Sequence, residues 1–109
     1  MAEELVPILR VADAGKAGEW YGRLGFVVEG EHVFGPGMPV YAFLRRGGCA
    51  LHLSEHTGDA KVGSLVYLYV GDVDAIAVEF GVKVIEQPWA REVHLTDPDG
   101  NRLRIGERA

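Results

Sequence analysis

Polar and apolar residues alternate along several short runs of the chain and recur at helical spacing in others, a pattern that predicts strands interrupted by two helices. After Asp13, the residues Ala17, Trp20, Tyr21 and Leu24 make one apolar stripe. Asp13 is placed to cap that helix by accepting from the free amides of its first turn, and Gly25 to stop it. Gly15, Gly18 and Gly22 each weaken the helix by about 1 kcal/mol relative to Ala, so packing must hold it. A shorter helix is expected over residues 73–80, with Ala75, Ile76 and Phe80 on its apolar side. Gly35-Pro36-Gly37 and Gly47-Gly48 separate strands expected near 26–31, 40–46 and 49–54.

The chain also repeats itself. Leu24-Gly25-Phe26-Val27-Val28-Glu29 returns as Phe80-Gly81-Val82-Lys83-Val84-Ile85-Glu86. Ile8-Leu9-Arg10-Val11-Ala12-Asp13 is echoed by Tyr67-Leu68-Tyr69-Val70-Gly71-Asp72, and 48–53 by 100–105. Matches in the same order imply two like units, each strand, helix, three strands. The expected organisation is one α+β domain of paired βαβββ modules, 5–56 and 64–107, joined by a linker at 57–63.

Strand alternation sorts the side chains into two faces. One collects Leu9, Val11, Cys49, Leu51, Leu53, Val66, Leu68, Val70, Val93, Leu95, Leu103 and Ile105, and belongs under the helices. The other carries Val6, Ile8, Arg10, His52, Ser54, Leu65, Tyr67, Tyr69, Glu92, His94, Thr96, Arg102 and Arg104. Such a face is either plain solvent-exposed sheet or an aromatic cleft with convergent polar groups.

Composition adds bounds. With 109 residues, 48% hydrophobic and 25% charged, the chain is sized for one domain with a core. A net charge of −5 argues against nucleic acid, whose binders carry a basic footprint, and either steers cationic partners or serves solubility. Met1 to Glu4 lack a basic leader, and no apolar run is long enough to span a bilayer, so the expectation is a cytoplasmic protein without a membrane partner. The single Cys49 excludes an intrachain disulfide and is expected as a small core residue.

The paired modules, Arg23-Leu24-Gly25-Phe26 and Asp97-Pro98-Asp99-Gly100-Asn101 resemble the glyoxalase, bleomycin-resistance and extradiol-dioxygenase superfamily over nearly the whole chain. Val6-Pro7-Ile8-Leu9 and Glu86-Gln87-Pro88-Trp89-Ala90-Arg91-Glu92 resemble the bleomycin-resistance proteins. The resemblance implies a concave cup formed by a curved mixed sheet. It also implies metal-ligand positions which, by the repeat, fall on Val6, His52, Leu65 and Arg104. Only His52 can bind a metal, so neither metal nor cofactor is expected.

That resemblance further implies a non-catalytic homodimer that sequesters a planar, bleomycin-like antibiotic in clefts built from both chains, with Pro7 near an exchanged N-terminal strand. The expected ligand-binding residues are Trp89, Phe34, His52, Tyr67, Tyr69, Glu92, His94 and Arg104. Alternatives remain at several of them. Trp89 is either a stacking surface or a plug at a strand entry, and Pro7 either marks strand exchange or is an edge-strand proline. Glu92 and His94 share a face and are either ligand contacts or an acid/base pair in a rearranged lyase, isomerase or dioxygenase site with His52. Arg10, Arg102 and Arg104 on the cup face leave room for an anionic or neutral ligand. The segment between Asp72 and Gln87 is shorter than the resemblance implies. Asp97-Pro98-Asp99-Gly100 reads as a hairpin turn rather than a calcium loop.

Overall fold

The computed structural model describes residues 3–109. The first module runs β1 (Ile8–Arg10), α1 (Ala14–Arg23), β2 (Val27–Val33), β3 (Val40–Arg46) and β4 (Cys49–Ser54); the second runs β5 (Leu65–Tyr69), α2 (Val73–Phe80), β6 (Ile85–Glu86), β7 (Ala90–Thr96) and β8 (Arg102–Arg108). Each module is a four-stranded mixed sheet, ordered β1-β4-β3-β2 and β5-β8-β7-β6. In both, the strand before the helix pairs in parallel with the last strand, and the remaining pairs are antiparallel.

The repeat extends to the helix caps. Asp13 accepts from Lys16 N at 3.1 Å, and Glu55 takes the Ala14 amide at 2.8 Å. Asp72 likewise accepts from Ala75 N at 3.1 Å, and Glu107 takes the Val73 amide at 3.0 Å. Two carboxylates at each N-terminus satisfy amides that a short helix would otherwise leave open. Gly25 follows α1 with φ 94° and Gly81 follows α2 with φ 64°, a conformation that side chains resist.

The aliphatic face lies under the helices as the alternation predicts, with Leu9, Val11, Leu51, Leu53, Leu68, Val93, Leu95, Leu103 and Ile105 buried in one core. Two expectations fail. Cys49 is exposed, because it opens β4 directly after the Gly47-Gly48 turn. The buried side of α2 is Val73, Ile76 and Ala77, while Ala75 is exposed and Phe80 is partly buried.

The halves are joined through the helices and the last hairpin. Trp20 and Phe80 pack with ring centroids 5.2 Å apart, and Arg23 pairs with Glu79 at 3.0 Å. Tyr21 Oη donates to Asp97 Oδ2 at 2.7 Å, and Asn101 Nδ2 donates to the Arg10 carbonyl at 2.9 Å. Asp97 Oδ1 accepts from the Asp99 and Asn101 amides, each at 2.9 Å. The acidic run is thus a turn that pins one module to the other.

Candidate functional site

The second module's polar face is built around Glu92. Alternation aims this carboxylate toward the cup, yet only 1% of the residue is exposed. Oε2 accepts from Tyr67 Oη at 2.6 Å and Trp89 Nε1 at 3.0 Å, while Oε1 accepts from His94 Nε2 at 3.0 Å. The Tyr67 hydrogen bond above all holds the carboxyl below its usual range, against the opposing effect of burial and with help from His94 and Trp89. Burial, and then the bond to Glu92, pushes the Tyr67 hydroxyl up to about 12. Glu92 is therefore an ionised anchor under three side chains, with no surface of its own for a ligand.

Gly106 makes this arrangement possible. Tyr67 starts on β5 and must cross β8 to reach β7; it does so over Gly106, where a Cβ would lie 2.3 Å from the phenol oxygen. Trp89 is anchored at its N–H while 53% of the residue stays exposed, so it is not a plug. Tyr69 packs on Tyr67 at 4.7 Å between centroids, and Arg108 lies over the Tyr69 ring at 3.7 Å. His94 and Arg104 line a shallow cavity of about 90 Å³ with Leu65, Thr96 and Arg102.

The first module presents a second aromatic face. His32 and Tyr41 are cross-strand partners, as are Phe43 and His52. Tyr41 Oη and His52 Nδ1 lie 2.9 Å apart, and the Phe43 and His52 centroids 4.9 Å apart. Partial burial pulls the His52 imidazole below its ordinary range. A cavity of about 350 Å³ is lined by His32, Phe34, Tyr41, Phe43, His56 and Asp59. Ser54, expected on the open polar face, is fully buried instead, because the chain after β4 turns back over it: its Oγ donates to Asp59 Oδ2 at 2.6 Å and accepts from the His56 amide at 3.1 Å.

The predicted residues thus fall into two groups. Trp89, Tyr67, Tyr69, Glu92, His94 and Arg104 gather on the second module, Phe34 and His52 on the first, and none of the described cavities is lined by both groups. A crevice of about 370 Å³ between the modules is lined largely by apolar residues such as Phe26, Leu51, Val66 and Leu103, and Tyr67 is the only predicted residue at its wall. Sequence reasoning missed His32, Tyr41, Phe43 and His56, although the Tyr41-Ala42-Phe43 alternation was available to find two of them. Arg108 and Gly106 carried no local signal.

The superfamily's metal site does not fit these residues. Val6 and Leu65 have no donor atom, Arg104 is a cation, and His52 already engages Tyr41, whereas a divalent ion needs three or more N or O donors. Asp72, Asp74 and Glu107 do cluster, but Asp72 and Glu107 cap α2 and Asp74 pairs with Arg91 at 2.7 Å. Among the described residues, no helix is long and apolar enough to cross a membrane.

Comparison with known proteins agrees with this architecture. TnmS3, an antibiotic binding protein from Streptomyces sp. CB03234, is 25% identical over 100% of this chain and 98% of its own, with a TM-score of 0.80. A bleomycin-binding protein from bleomycin-producing Streptomyces verticillus, solved with copper(II)-bleomycin, is 26% identical over 100% of this chain and 98% of its own, with a TM-score of 0.71. TioX from Micromonospora sp. ML1 shares the fold at a TM-score of 0.81, with 20% identity over 99% of this chain and 100% of its own. No curated protein matches the sequence. The family model described as glyoxalase superfamily protein matches residues 1–109, and the chain belongs to that superfamily.

Proposed function

We propose that the protein is a metal-free, homodimeric binding protein of bleomycin-resistance type, which sequesters a planar antibiotic between the first module of one chain and the second module of its partner. The observation that carries this reading is Trp89: its indole N–H is fixed on a buried carboxylate while much of the residue stays open. A ring held this way loses little freedom on stacking a flat ligand, and each well-placed aromatic pair contributes about 0.5–1.5 kcal/mol beyond area burial. The separation of Phe34 and His52 from the Trp89 group supports a cleft completed by a second copy. So do the exposed apolar side chains Ile8, Phe43, Leu65 and Tyr67, which a partner would cover. Two copies at −5 each give a dimer near −10, which steers cationic ligands.

The enzymatic alternative needs His52, Glu92 and His94 as one acid/base site. Glu92 spends its lone pairs on three donors, which makes it a weak base, and His52 lies on the other module. Titration of bleomycin against tryptophan fluorescence tests the proposal. Quenching at micromolar drug is expected in the parent and lost in Trp89→Phe, where Trp20 still reports. No quenching, with no protection of DNA from drug cleavage, would defeat the bleomycin form of the reading. A stoichiometric divalent metal lost on His52→Ala would favour the enzyme.

A further inference from the structure

We infer that the first module's aromatic cavity is a subsite for an organic cation, so that the ligand carries an ammonium or similar charged group on an organic body. The inference deepens the proposed function and rests on reading this module as half of the ligand cleft.

The chemistry of the lining carries it. Phe34, Tyr41 and Phe43 supply benzenoid rings, His32 and His56 two imidazoles, and Asp59 a carboxylate, with no Lys or Arg among them. The rings stand at steep angles to one another: 82° for His32 and Phe34, 80° for Phe34 and His56, 57° for Tyr41 and Phe43. The rings thus pack edge-to-face or tilted rather than as a flat stack, and with Asp59 they put aromatic and anionic groups around one cavity, the combination that attracts an organic cation. A volume of about 350 Å³ exceeds what a lone ammonium group fills and suits a group borne on a ring or chain.

The carboxylate is held rather than merely nearby. Fully buried Ser54 donates to Asp59 and accepts from the His56 amide, fixing two lining residues through one hydroxyl. The negative charge is felt across the cavity, since after burial it is Asp59 that raises the Tyr41 hydroxyl. The other module is opposite in character: its small cavity is flanked by Arg102 and Arg104. The two halves would thus hold a ligand in one orientation, with its cationic part on the first module and its flat part on Trp89.

Benzyltrimethylammonium is the probe, with benzyl alcohol as its neutral control and benzoate as the anionic one, titrated into the full-length protein by calorimetry and amide chemical shifts. The cation is expected to bind at least about tenfold tighter than the alcohol, with shifts at residues 32–34, 41–43 and 56–59. Asp59→Asn, which keeps an oxygen to accept from Ser54, should narrow the cation's advantage over the alcohol several-fold. Phe43→Leu should weaken the cation while the chain stays folded. Equal binding of cation and alcohol, shifts confined to the second module, or indifference to Asp59→Asn would overturn the inference. Asp59-dependent cation binding with no Trp89 quenching by any planar compound would leave the subsite standing and refute the stacking reading; quenching without cation selectivity would do the reverse.

Discussion

Replacing Gly106 by Ala tests whether the Trp89 platform depends on one missing side chain. The new Cβ would sit 2.3 Å from Tyr67 Oη, 3.1 Å from its Cζ and 3.2 Å from Ala90 Cβ. Tyr67 must then leave Glu92, breaking a 2.6 Å hydrogen bond to a carboxylate. A hydrogen bond to a charged group contributes about 1.5–3 kcal/mol. Overpacking adds about 1–3 kcal/mol, and the stiffer unfolded chain returns about 0.4–1 kcal/mol. The expected net loss is about 2–5 kcal/mol, read as a fall in the urea midpoint at unchanged slope. The decisive comparison is a cycle with Tyr67→Phe, which removes the clashing oxygen. If the clash is the cause, Gly106→Ala should cost at least about 1 kcal/mol less in the Phe background than in the parent. Additive costs, or a neutral Gly106→Ala, would refute the account of how Glu92 is held.

Other outcomes follow from the same contacts. Tyr21→Phe should cost about 1–3 kcal/mol by denaturation, since buried Asp97 loses a donor that ties the modules together. Because the native Glu92 carboxyl is held below its usual range, its stabilising contribution is present above the unfolded glutamate value of about 4.3 and is lost as pH falls through the lower native value. Glu92→Gln should therefore be most destabilising near neutrality, with midpoints converging on the parent's at low pH. Tyr67 should ionise at about 12 in an ultraviolet titration. Its raised value makes a contribution that is full below the ordinary tyrosine range and lost as pH rises toward 12; loss of that late phase in Tyr67→Phe checks the assignment.

Local pattern was enough for much of the architecture. The α1 stripe, the bounds of α2, the Asp13 cap and the order of elements along the chain all follow from interactions within a few residues, and the repeat shows that one solution was used twice. The turn at Asp97 was legible for the same reason, because Asp, Pro and Gly each act on their own backbone. Cys49 went wrong because face alternation says nothing about how far the helix covers a strand's end.

The site was legible as a set of residue types but not as a geometry. Alternation put Glu92 and His94 on the cup face, yet whether a carboxylate there meets a ligand or lies beneath other side chains depends on the reach of Tyr67 from a strand two positions away and on the bare backbone at Gly106. Neither is encoded near position 92. Burial of Ser54 likewise depends on the chain folding back to bring Asp59 onto it. Sequence by itself determined the modules and which residue types stand at the cup positions where the resemblance implies metal ligands, since backbone propensity and donor chemistry belong to single residues. Tertiary structure decided which polar groups are anchors and which are surfaces, because burial and hydrogen-bond reach arise from segments far apart in the chain.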